Sequence, residues 1–326
     1  MDIEFHYYIT KYLAKEAGFD NNEAEIIAYS SQYVDDNTTQ YNIQINTNES
    51  YQNLISQTPD ITKPIRKNIR IYVLHHYLPG DPNSPKARRK DGKMHLLMTT
   101  AASTHAQEIF FEATRSEDLF KLGIASHMLS DTYMHQNFVG NYDEINSMKG
   151  VWDTLKPFIG HADASYKPDI PNLIWEDPRL IDENGIINNP ERIMQAARKL
   201  YNNFIIMTSF ESNWPQIKQN LSEILKNTIS EKQLRSATKL REERISAYLE
   251  ILNDKPSNKY DPHRWFEIAV SEKSTSNTKS KQKIYSFKKN YQTSNWYLFQ
   301  EAVKEYQNIA FRKLKPILED LDLKEW

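Results

Sequence analysis

No cysteine occurs among the 326 residues. That excludes disulfides, thiolate metal sites and a cysteine nucleophile, so any metal must be held by histidine and carboxylate, the donor set of hydrolytic zinc chemistry. Glycine is scarce, with 8 in the chain, and long stretches repeat their apolar residues at the helical period. An excess of one charge is missing too. Basic and acidic residues number 41 and 43, for a formal net charge of −2, which gives no overall reason to expect a polyanionic partner. No apolar run approaches the roughly 18 residues of a spanning helix. The opening MDIEFHYYIT lacks the basic and apolar segments of a signal peptide. The default compartment is therefore the cytoplasm, with delivery by a signal-independent route left open.

What is present reads as an all-α fold with long loops and at most short strands. Phe5, Tyr8, Ile9, Tyr12, Leu13 and Ala17 share one helical face, and Gly18 stops that helix. A second helix starts after Asp20 or Asn21 and runs to Asp35. Residues 38–64 read as loop with room for a short strand, and 69–77, β-branched and aromatic, as a strand or extended segment. Helical signal returns over 94–138 with a break near Ser116, then over 193–210, 214–227, 231–252 and 296–318. The Lys-rich stretch 271–283 is expected to be a mobile loop. With no repeat and no boundary signal, one domain is expected over 1–326. Its metal-binding core would lie in 1–175, with C-terminal helices of 190–326 packed on it.

Eight of the 9 histidines lie in the first 161 residues, an asymmetry that a metal centre built from one half of a fold would produce. The sharpest signal is LGIASHMLSDTYMHQNF at 122–138. His127, Asp131 and His135 follow one another at steps of four, and each step drifts only about 40° around a helix. All three share one face, where the central carboxylate can bridge two ions. Met128, Leu129, Tyr133 and Met134 between them suggest a helix buried on several sides. Burying such a stripe without partners costs several kcal/mol. Three or four protein ligands per zinc are needed, so other segments must contribute. Candidates are His6 on the first helix, Asp35 and Asp36 at the end of the second, His75 and His76 in VLHHYLPGDP, and His161 with Asp163 and Asp169 in GHADASYKPDIP. In a strand His75 and His76 would point to opposite faces, so one of them would ligate. His95, His105 and His263 read as structural.

These segments resemble the zinc-dependent phospholipase C superfamily, which includes fungal single-strand nucleases and the catalytic part of GPI-specific phospholipase D. EFHYYITKYLAKEAGF, IAYSSQYVDDN, HHYLPGDP and GHADASYKPDIP are also similar to an uncharacterised bacterial family associated with that fold. The resemblance covers about residues 1–175 and implies a mostly helical fold with a cluster of up to three zinc ions. His6 would correspond to the early helix ligand, Asp35 or Asp36 to the second-helix carboxylate, and His75 or His76 to the loop histidine. His127, Asp131 and His135 would form the central helix motif, with His161 the next ligand. Three features depart from the pattern. The superfamily's phospholipases use a mature N-terminal tryptophan as ligand, and their second helix histidine lies further from the aspartate. Their last carboxylate falls where this chain has Ser165, so Asp163 or Asp169 would have to substitute. Two zinc ions are therefore expected, with three as the upper count.

The expected activity is zinc-dependent hydrolysis of a phosphate ester, with Asp35 or Asp36 as base for the attacking water. A phospholipid is the first substrate class, which would entail peripheral membrane contact. A nucleotide or single-stranded nucleic acid is the second, since bases stack on tyrosine. The basic loop KARRKDGK at 86–93 and the six lysines of 271–291 would suit either, although solvated loops carry such charge as a rule. A non-catalytic, metal-stabilised binding protein is the competing class. An HD-type phosphohydrolase ranks low, because no His-Asp dipeptide occurs.

Overall fold

The computed structural model describes residues 1–59, 69–148, 159–274 and 283–321. Helix α1 (Thr10–Glu16) continues a wide π-helical turn, Glu4–Ile9, and both bury nearly every side chain. Helix α2 (Asn21–Asp36) starts on a capping box in which Asp20 accepts from the Glu23 amide and the Glu23 side chain accepts from the Asp20 amide. The short helix α3 (Ile69–Ile71) runs into a second π-helical turn, Tyr72–His76. Ser103 and Asp118 cap helices α4 (Thr104–Thr114) and α5 (Leu119–Met134).

Helix α5 is the axis of the molecule. Every residue from Lys121 to Met134 is buried, because α2, α4, α7 (Asn189–Thr208) and α11 (Asn295–Asp320) all pack against it. A helix surrounded on all sides is apolar all round, so the polar stripe it carries stands out.

The expectation of an all-α fold is corrected. About 58% of the described residues are helical and 11% lie in strands, which makes the fold mixed. A four-stranded sheet joins Asn42–Gln44, Ser50–Gln52, Val270–Ser274 and Lys283–Phe287, and a three-stranded sheet joins Leu173–Glu176, Ile186–Asn188 and Ile229–Ser230. Each sheet includes a parallel pairing of distant segments, Ile43 with Tyr285 and Leu173 with Ile229. Such strands are too short to display a period of two, and their partners are non-local.

Three local readings also change. Segment 69–77 is helical where described, because complete burial of 71–77 lets packing override β-branched propensity. Residues 94–103 are not helical; the chain turns there, with Ala102 at φ 43°. Of the Lys-rich stretch, 271–274 belongs to a strand, while 275–282 lie outside the described residues. Among the described residues no helix is long and apolar enough to cross a membrane.

Candidate metal centre

The site begins where α2 and α5 come unusually close. A Cβ on Gly123 would lie 2.4 Å from both the Ile27 carbonyl oxygen and Ser30 Cβ, so only glycine allows this crossing. One turn further on, His127 Nδ1 donates to the Ser31 carbonyl at 2.8 Å. The same approach brings Asp35, near the end of α2, within 3.8 Å of His127 Nε2.

The two π-helical turns deliver the next two histidines. Tyr77 N donates to Tyr72 O at 2.7 Å, the i to i−5 bond that widens the turn and aims His76 inward, as such bulges do at functional sites. His76 Nε2 donates to the Ser56 carbonyl at 3.0 Å, which leaves Nδ1 facing Asp131 Oδ2 at 3.2 Å and His127 Nε2 at 3.1 Å. His6, from the first π turn, stacks on His127 at 3.8 Å between ring centroids. Its Nε2 lies 3.2 Å from Asp131 Oδ1, buried and without a hydrogen bond.

A second group sits on turns. Helix α5 ends at Met134, and His135, its C-cap, donates from Nδ1 to the His76 carbonyl at 2.8 Å. The chain then returns so that Gly160 N donates to Val139 O at 3.0 Å, setting His161 beside His135 with ring centroids 4.9 Å apart. Gly160 has φ 50°, and a Cβ there would strike the Tyr77 ring at 2.3 Å, so this contact too requires glycine. His161 Nδ1 donates to the Ser165 carbonyl at 2.8 Å. Asp169 faces both imidazoles, at 3.4 Å from His135 Nε2 and 3.3 Å from His161 Nε2. The Asn189 amide braces its turn by donating to the Lys167 and Ile170 carbonyls at 2.7 and 2.8 Å.

One rule organises these contacts. In a neutral imidazole whose one nitrogen donates to a backbone carbonyl, the other carries a lone pair. His76, His127, His135 and His161 are all fixed this way, and each lone pair faces a carboxylate oxygen. Acceptor against acceptor in a buried space is repulsive unless a proton or a metal cation lies between them. Carbonyl-oriented imidazoles are also what metal sites use behind their ligands. The donor chemistry therefore fits a divalent ion. Among the described residues three groups of side chains meet the geometry: Asp35, His76 and His127; His6, His127 and Asp131; and His135, His161 and Asp169. One imidazole lone pair serves one ion, so His127 belongs to only one of the first two groups, whereas Asp131 has an oxygen for each side.

The Met1 α-amine completes the picture as the chain stands, 2.6 Å from Asp131 Oδ1, 3.3 Å from His135 Nε2 and 3.4 Å from Asp169 Oδ1. Burial alone would lower its pKa, but Asp131 and Asp169 outweigh that and raise it to about 11. Burial, with the neighbouring His127, holds His6 well below the ordinary histidine value, and burial brings His135 down to about 4. His76 is lowered by burial yet raised overall by Asp131 and Asp35. Burial works to raise Asp131, but His135, the α-amine and His127 hold it well below the ordinary carboxylate range. Burial raises Asp35.

Three of the sequence candidates lie elsewhere. Asp36 accepts from Gln32 and, at 2.7 Å, from Tyr260. His75 Nε2 accepts from Gln307 at 3.1 Å, its ring near Tyr306. Asp163 Oδ2 accepts from the Met148 amide at 2.7 Å. In a helical turn neighbouring side chains diverge by about 100°, which separates Asp35 from Asp36 and His76 from His75. The α-amine, the orienting carbonyls and Asn189 went unread in the sequence. The stretch NNP at 188–190 signals a helix start, with nothing to mark it as a brace.

The model of a family of unknown function, DUF6765, matches residues 1–314. The chain belongs to the DUF6765 family. No curated protein and no solved structure matches.

Proposed function

We propose that this protein is a zinc-dependent hydrolase of phosphate esters. The observation that carries the reading is the set of buried imidazole lone pairs turned on Asp35, Asp131 and Asp169. His76 and His127 with Asp35 and Asp131 would hold one ion, and His135, His161 and Asp169 a second. His6 and Asp131 Oδ1 offer part of a third set. An all-nitrogen and oxygen donor set rich in imidazole suits zinc.

Zinc bound there would supply Lewis acidity, a water of lowered pKa and charge to meet the phosphoryl oxygens. The chain's own residues do the rest. Asp131 ties the two donor sets together and keeps both at one face of α5. Asp35 Oδ1 faces His76 and His127 at 3.7 and 3.8 Å, while Oδ2 lies 4.0 Å from His6, free to take the proton of an attacking water. Asp35 and Asp169 also remain 25% and 18% exposed beside nearly inaccessible Asp131, so these two carboxylates are where water reaches the site.

The basic loop of 86–93 adds little to substrate binding. Arg89 pairs with Asp91, Lys90 with Asp182 and Lys93 with Glu144, so most of its charge is locally neutralised.

The test is elemental analysis of the purified protein beside hydrolysis of bis(4-nitrophenyl) phosphate, phosphatidylcholine vesicles and single-stranded DNA. Zinc at about two per chain, activity on at least one ester and its loss to a chelator are expected. Full metal content in a His127→Ala protein would sink the assignment, as would a metal-loaded protein inert towards all three.

A further inference from the structure

A cleft of about 450 Å³ opens beside the metal centre. One wall is the turn that carries Asp169 and Ile170; the other is the start of helix α9 (Ala237–Leu252) with Leu234 before it. The N-terminal residues run between these walls. Met1 contacts Asp131 and Asp169, while Asp2, the next residue, approaches Arg241 and also feels the charge of Asp169. Asp169, a member of the second donor set, therefore lines the same cleft as Arg241.

Two guanidinium groups line this cleft with donors to spare. Arg241 is 45% exposed, makes no hydrogen bond, and meets Asp2 only at 3.6 Å. Arg244 is buried and grips Glu4 through Nε and Nη2, both at 2.7 Å, leaving Nη1 buried and unpartnered. Glu4 is engaged by that bidentate pair, and Asp2 Oδ1 accepts from the Glu4 amide. The rest of the wall sets apolar Ile170, Pro171, Leu234 and Ala237 beside Ser165, Tyr166, Thr238 and Lys167, whose charge is taken up by Glu231 at 2.5 Å. A partly apolar slot with a guanidinium held only by a 3.6 Å ion pair to Asp2, beside a carboxylate-rich candidate metal site, suits a substrate with two separated charges on a compact body. Arginine is the side chain that reads a carboxylate or phosphoryl oxygen pair in two-point fashion.

We propose that this cleft is the substrate subsite and that it selects phosphate esters bearing a second anionic group, carboxylate or phosphoryl, on an apolar body, with Arg241 reading that group. This rests on the hydrolase reading above, since the scissile phosphoryl group is what the metal centre anchors. The second charge has two sources in such chemistry, an anionic lipid headgroup or a terminal nucleotide phosphate.

The experiment is calorimetric binding to the zinc-loaded protein, comparing phenylphosphonate with 4-carboxyphenylphosphonate, in the parent protein and in Arg241→Gln and Arg241→Lys. Arg241 is a half-exposed helix residue, so these variants keep the fold. The carboxylated ligand is expected to bind at least about tenfold tighter, the advantage falling below about twofold in Arg241→Gln and returning in part in Arg241→Lys. Equal binding of the two ligands in the parent protein overturns the subsite, and so does an advantage that survives Arg241→Gln. Absence of any phenylphosphonate binding overturns the metal-site reading and the subsite with it, so the two failures are distinct. Matched hydrolysis of dihexanoyl phosphatidylserine against phosphatidylcholine, and of pTpT against TpT, then names the source. The pair with the larger Arg241-dependent ratio identifies lipid or nucleotide.

Discussion

The two donor sets of the candidate centre are built differently. His6, His76, His127 and Asp131 come from helical turns and are buried, their positions following from the two π-helical turns and from how α2 meets α5. His161 and Asp169 come from turns held by a few hydrogen bonds, and both remain partly exposed. Helical donors are preorganised by close packing, which resists small displacements. Turn donors depend on a few polar braces, so they can shift to admit a ligand. The turn set is also the one that borders the cleft. Rigidity on one side and accessibility on the other is the arrangement a metal site needs if it is to hold its ions and still exchange its substrate.

The largest test of that contrast is Gly123→Ala. The added methyl must push α2 away from α5, at about 2–3 kcal/mol of overpacking cost, and should take His127 and Asp35 out of register. Urea unfolding should report the loss of stability, and metal analysis a deficit of one ion while the turn set stays loaded. Full occupancy in this variant would mean that helix proximity does not set the helical site.

A smaller, opposite effect is expected from Asn189→Ala. It removes the brace from the part-buried Lys167 and Ile170 carbonyls, at about 1 kcal/mol for each hydrogen bond lost. Hydrogen exchange should quicken in 159–170 but not in α5, and the ion of the turn set should weaken first. Uniform quickening across both regions would erase the distinction.

The mildest test uses pH. Burial would raise the Asp177 carboxyl, but Arg179, bonded to it at 2.9 and 2.6 Å, keeps it below the ordinary range. Arg179 in turn covers the Phe138 ring at 4.0 Å and donates to Ile145 O, bracing the turn region. A carboxylate with a depressed folded pKa contributes stability that is complete above its unfolded value of about 3.9 and is lost as pH falls through the folded one. Protection in the turn region should therefore decline below about pH 4, and an Asp177→Asn protein should show no such step.

Much of the helical donor set was legible. His127, Asp131 and His135 at steps of four need only helix geometry to share a face, and the capping box at Asp20 marks where α2 begins. The sheets were not legible, because Ile43 finds Tyr285 and Leu173 finds Ile229 across long separations that no local pattern records. Choosing Asp35 over Asp36 and His76 over His75 needed the direction of a helical turn. The reading of 69–77 as extended gave the wrong geometry there, since burial had overridden β-branched preference.

Residue chemistry alone determined that any metal here meets imidazole and carboxylate, because no thiolate exists and the histidines crowd into one half. Tertiary structure alone decided which nitrogens carry lone pairs, because that depends on backbone carbonyls such as those of Ser31, Ser56, His76 and Ser165 reaching the opposite ring atom. Carbonyls are common to every residue, so their placement is a property of the folded chain and leaves no mark in its letters.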